Sequence, residues 1–307
     1  MGFDDLDPRM PGLAETLDWT FYAMDATLLA LGAALLISAV WRWWVDGRHD
    51  PLRGAPIRPN RLSPLLLWIC LAGLLAAQVA GVKLATLSSP SGLEGDRLQE
   101  WRTLLGVNMA QIIIALMCLG LAQVGFTSGW RGLGLGRRPI GRELRDALTG
   151  WLGALVVCAI VFLATTLVIK LFDPDYTGRD HTVLTLLHDP ATTTWIRVIA
   201  VGGAVIVAPL GEELFFRGIV QTSLKKLMPV RRGSMRHRWA AIGVTALLFG
   251  LMHMQTPHHV PTLAAFGFVL GFLYERYGSL TVVILVHALF NGKTLLYEVA
   301  RLFVASG

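Results

Sequence analysis

Eight apolar blocks, most of them about 20 residues long and separated by short charged stretches, run through this chain and restrict the solvent in which it can fold. A block of that length matches the ~30 Å hydrocarbon core that a helix rising ~1.5 Å per residue must cross. The blocks cover roughly 21–41, 64–85, 104–126, 147–171, 196–224, 239–253, 260–275 and 280–303. Inside lipid every backbone polar group needs an internal partner, so the expected fold is all-α, a polytopic transmembrane helix bundle of about eight spans. The sixth and seventh blocks, near 15 residues each, are too short to face lipid throughout and are expected inside the bundle or around a cavity.

Composition supports the same solvent. Hydrophobic residues make up 54% of the 307 and charged residues 16%, against about 25% charged in an ordinary soluble domain. The net charge of +6 does not point to nucleic acid, because the 27 Lys and Arg residues lie mainly between the apolar blocks and form no amphipathic basic face. Arg42, Arg48, Arg53, Arg58 and Arg61 fill one connection; Arg131, Arg137, Arg138, Arg142 and Arg145 a second; Lys225, Lys226, Arg231, Arg232, Arg236 and Arg238 a third. The stretch 172–194 carries Asp173, Asp175, Asp180 and Asp189 instead. The positive-inside rule then places the three basic connections in the cytoplasm and both termini outside, in the inner (plasma) membrane of a bacterial cell.

The first 18 residues hold Asp4, Asp5, Asp7, Glu15 and Asp18 and lack the basic start of a cleavable signal, so the first block is expected to persist. Cys70, Cys118 and Cys158 sit within apolar blocks without metal-ligand spacing and read as small core residues. The glycine-rich run Gly132 to Gly136 has no Walker lysine after it. No repeat or linker divides the chain, so residues 1–307 are expected to form one domain.

Chemistry concentrates in three places. The fifth block contains Glu212-Glu213-Leu-Phe-Phe-Arg217, and charge within a span is costly enough to suggest function. Glu213 and Arg217 share a helix face at i,i+4, while Glu212 points about 100° away, which lets one glutamate pair structurally and the other face a cavity. The sixth block ends in Phe249-Gly-Leu-Met-His253, and the eighth contains His287-Ala-Leu-Phe-Asn291, with His287 and Asn291 on one face. Helical rise puts Glu212 ~20 Å in from Lys225, His253 ~21 Å in from Trp239, and His287 and Asn291 ~14 and ~20 Å in from Gly278. The four groups are therefore expected to meet near one level. Peptide hydrolysis needs a base for water, donors for the oxyanion and an acid for the leaving amine, and these residue types supply all three. Glu212, His253 and His287 also match a zinc ligand set, and zinc would lower the pKa of a bound water, although the same groups work without metal.

These three motifs, in this order, resemble those of the CAAX protease and bacteriocin-processing family of intramembrane peptidases, also called CPBP or Abi. The resemblance covers roughly 195–295, the expected catalytic core. It implies a bundle around a conical cavity, in which Glu212 and His253 activate a water, His287 and Asn291 stabilise the oxyanion, and Glu213, Arg217 and Phe249 support them. Its substrate would be a membrane-associated peptide or protein, reached through membrane lipid. Two other classes compete. A transporter also uses intramembrane Glu and His, but the paired halves that transport predicts are not visible. A non-catalytic scaffold or bacteriocin-immunity protein of the same fold would be expected to have lost a motif residue, and all are present.

Overall fold

The structure is a computed structural model describing residues 11–47, 50–63, 65–88, 95–176, 192–227 and 235–306. Eight helices account for nearly all of it: α1 (Pro11–Val45), α2 (Leu66–Leu87), α3 (Gly95–Gly125), α4 (Ile140–Phe172), α5 (Thr194–Leu227), α6 (Arg236–Leu251), α7 (Val260–Tyr277) and α8 (Leu280–Ser306). Six of them, α1 to α5 and α8, are long and apolar enough to cross a membrane. The other two, α6 and α7, have 16 and 18 residues and pack together as a hairpin. A Cβ at Gly250 of α6 would lie 2.8 Å from the Val260 carbonyl oxygen, and one at Gly267 of α7 would lie 3.2 Å from Ala246 Cα. Small residues let these two backbones approach, which is how helices associate where lipid removes the hydrophobic drive between them.

Several helices outrun their apolar blocks. α1 continues to Val45 instead of stopping near 41, and α3 begins at Gly95 instead of 104. Hydropathy marks where lipid ends, whereas backbone hydrogen bonds continue into polar flanks. α6 does the reverse and stops at Leu251, two residues before the block ends. The Met252 amide still bonds back to the Leu248 carbonyl, but the His253 amide tightens onto Gly250, and Pro257 opens a short 3₁₀ turn. His253 thus sits in a turn, not in a helix.

α5 lies at the centre. Leu214, Phe215, Phe216, Ile219 and Val220 on it are buried against Phe249 of α6, Phe266 and Leu270 of α7, and Val286 of α8. Its backbone alternates between α and π, with π segments at Gly203–Val207 and Leu214–Gln221 flanking the α turn Ala208–Glu213. Pro209 explains part of this, because its ring clashes with the carbonyl four residues back and it has no N–H to offer. The Ala208 amide already reaches back to the Gly203 carbonyl. In that register the Ala204 carbonyl is matched with Pro209 and receives no backbone donor.

At the basic ends of the helices, Glu275 of α7 is fully buried and gathers Arg58 at 2.9 Å, Lys225 at 2.6 Å and Arg238 at 3.6 Å. The connection before α2 is thereby tied to α5, α6 and α7. The glycine-rich run folds against the α7–α8 corner: Gly134 has φ +89, Ser279 Oγ donates to Glu143 Oε1 at 2.7 Å and lies 3.4 Å from the Gly134 carbonyl oxygen, and Tyr274 Oη donates to the Leu133 carbonyl. The stretch 177–191 and residues 1–10 and 228–234 lie outside the described residues, so most of the acidic connection, with Arg231 and Arg232 of the third basic one, falls there.

Candidate active site

Glu213 and Arg217 are completely buried on α5, with Arg217 Nε 3.1 Å from Glu213 Oε2. Glu213 holds a second group as well. Its Oε1 lies 2.9 Å from His287 Nδ1, and because a carboxylate accepts, His287 donates from Nδ1. The ring is thereby fixed with Nε2 turned towards Glu212, whose Oε2 is 4.0 Å away. Glu212 is the accessible member of the pair, its side chain 16% exposed against none for Glu213. Arg217, Glu213, His287 and Glu212 form one connected line of ionisable groups across α5 and α8. The expectation that Glu213 serves Arg217 is therefore incomplete, since it also orients an imidazole, as the carboxylate of a hydrolase triad does.

Phe249 knits the remaining groups together. Its ring is 5.1 Å from that of His253 and 5.9 Å from that of His287, and the Arg217 guanidinium carbon stands 5.0 Å over it. His253 Nδ1 is 2.8 Å from the Phe249 carbonyl oxygen. A carbonyl only accepts, so Nδ1 carries a proton, and in the neutral ring that leaves Nε2 as the free nitrogen. Half-buried, His253 stands within electrostatic reach of Glu212, as does His287.

Asn291 stands one turn beyond His287 on α8 and donates from Nδ2 to the Ala204 carbonyl at 2.8 Å. That is the carbonyl deprived of a donor by Pro209. One amide hydrogen thus closes the gap in α5, and the second remains for another acceptor.

A further polar side chain reaches this cluster from a segment that the motifs do not cover. Gln111 of α3 donates from Nε2 to Glu212 Oε1 at 3.3 Å. The signal for it was present: Asn108 and Gln111, three apart, are amides in an otherwise apolar stretch. The three groups of the zinc reading, Glu212, His253 and His287, are not gathered as ligands of one ion. Among the described residues no three His, Cys, Asp or Glu side chains are so grouped, and 4.0 Å between Glu212 and His287 is wider than a tetrahedral zinc with bonds of about 2.0–2.1 Å would set. A polar cleft of about 310 Å³, lined by Trp43, Asp46, Asp50, Arg53 and Arg276, lies at the basic helix ends and contains none of these groups.

No curated protein and no solved structure matches the chain. Residues 193–292, about a third of its length, match the family described as Type II CAAX prenyl endopeptidase Rce1-like. That segment carries Glu212, Glu213, Arg217, Phe249, His253, His287 and Asn291, and over it the chain is similar to the CAAX protease family that its three motifs resemble.

Proposed function

We propose that the chain is an intramembrane endopeptidase that cleaves a membrane-associated peptide or protein, with Glu212 as its general base. The observation that supports this most is the pairing of an accessible carboxylate with an imidazole that a second, buried carboxylate orients. The 4.0 Å from Glu212 Oε2 to His287 Nε2 is too long for a direct hydrogen bond. A water about 2.8 Å from each would bridge them with an angle of roughly 90° at its oxygen.

Glu212 takes a proton from that water as the oxygen attacks the substrate carbonyl carbon, and the free Nε2 of His253 accepts the water's other hydrogen bond. Charge building on the carbonyl oxygen is received by His287 Nε2–H and the second amide hydrogen of Asn291. For His287 to donate there while Nδ1–H is held by Glu213, its ring carries both protons, and the carboxylates on either side balance that charge. When the C–N bond breaks, the proton on Glu212 passes to the departing amine. The water's second proton passes to the His253 Nε2 that held it, so a new carboxylate and a new amine result.

The family makes a prenylated C-terminal CAAX peptide the substrate to try first. Comparing membrane-associated peptides in cells that carry the intact protein or Glu212→Gln should reveal one that accumulates uncut in the variant; identical profiles would contradict the reading. These steps use protein groups alone. Metal analysis of active protein before and after chelation tests that: full activity in metal-free protein is expected, and stoichiometric zinc lost together with activity would contradict it.

A further inference from the structure

The base of this site is held from outside the family segment. Gln111 Nε2 donates to Glu212 Oε1 at 3.3 Å, and the geometry around that contact is built for it. Gly211, the residue before Glu212, has no side chain where α3 crosses. A Cβ there would stand 2.4 Å from Gln111 Oε1 and 2.8 Å from the Gln111 carbonyl oxygen. About two turns earlier on α5, Gly203 makes the same allowance for Asn108, where a Cβ would meet Oδ1 at 2.2 Å. Two glycines of α5 therefore seat two amides of α3.

The amides differ in use. Asn108 turns back on its own helix and donates to the Leu104 carbonyl at 2.8 Å, so its part is packing. Gln111 points across to the carboxylate. Its Oε1 is buried without a hydrogen-bond partner, and turning the amide over would set that oxygen against the Glu212 carboxylate. Only the nitrogen fits beside the acid.

We propose that Gln111 is a positioning residue for catalysis, which pins Oε1 of Glu212 and leaves Oε2 as the oxygen that faces His287 and removes the proton from water. The proposal rests on Glu212 as the base. A carboxylate free to rotate would spend much of its time with neither oxygen aligned, and precise placement of a reacting group is a large part of what a site supplies. A hydrogen bond to a charged group, when lost, lowers the rate by about 10- to 100-fold.

The test replaces Gln111 with Met, which keeps length and loses the donor, and Asn108 with Ala, which disturbs the same helix contact without touching Glu212. Cleavage of an internally quenched, farnesylated CAAX peptide in detergent micelles is expected to show kcat about 10- to 100-fold lower for Gln111→Met at unchanged KM. Asn108→Ala should keep kcat while lowering the melting temperature. Infrared difference spectra against Glu212→Gln, which need no substrate, should show the Glu212 carboxylate band displaced in Gln111→Met and unmoved in Asn108→Ala. An unmoved band in folded Gln111→Met protein would overturn the proposal, as would wild-type kcat or an equal kcat loss in both variants. The base assignment fails by a different result, cleavage by Glu212→Gln itself.

Discussion

Arg217 is the largest of the fully buried side chains, and none of its guanidinium nitrogens makes a hydrogen bond to the described residues. It is held instead by charge and by rings: the ion pair to Glu213 at 3.1 Å, and the faces of Phe249 at 5.0 Å and Phe216 at 5.8 Å. Removing one member of a buried pair strands the other, at a typical cost of about 3–5 kcal/mol. Arg217→Ala should therefore reduce the amount of folded protein as well as its activity. Arg217→Lys should fare little better, because a compact, strongly hydrated ammonium replaces the broad guanidinium that reaches both phenylalanine rings and Glu213. Size-exclusion profiles and thermal melts check this; a variant that melts at the wild-type temperature would show that the pair does not carry the fold. The i,i+4 spacing made this pair legible in the sequence. The bond from His287 to Glu213 was not, because it joins residues 74 apart whose facing depends on how α5 and α8 pack.

At the scale of elements, apolar blocks revealed which segments are helices, and the short sixth and seventh blocks became the two short helices α6 and α7, which pack on each other while α6 keeps Leu247, Leu248 and Leu251 exposed. The switch of α5 between α and π was hidden, although Pro209 marks its place once the Ala204 carbonyl is seen bonded to Asn291. Asn291 read in the sequence as a group for the substrate, and it also mends the helix that carries Glu212. The glycine-rich run shows a different limit. Gly134 needs its positive φ, and a Cβ would lie 2.1 Å from the Gly278 carbonyl oxygen, so the run exists for close contact with the α7–α8 corner. Gly134→Ala should destabilise by more than the ~1–2 kcal/mol of a left-handed residue alone, because the overlap adds to the strain. A fall in melting temperature is the expected result, and an unchanged one would mean that the corner shifts freely.

Across the whole molecule, two groups of buried charge stand out among the described residues. One is the line from Arg217 to Glu212 within the bundle, and the other is Glu275 with Arg58, Lys225 and Arg238 at the basic helix ends. Sequence patterning found the first because its residues recur in motifs. It missed the second because a lone glutamate near a helix end looks like a solvated group until three cations from three segments close over it. Glu275→Gln leaves those cations without their counter-charge and should cost on the order of 3–5 kcal/mol, read as lost folded protein at normal expression of message. The proposed catalysis depends on the other site. The direct measurement is the cleavage rate of purified, folded Glu212→Gln protein on a substrate that the intact enzyme cuts. The substitution keeps size and removes the base, so a fall of at least about 100-fold is expected. His253→Ala should fall similarly, and the double variant little further, because groups that act on one water act together. Cleavage by Glu212→Gln at the intact enzyme's rate would contradict the assignment of the active site.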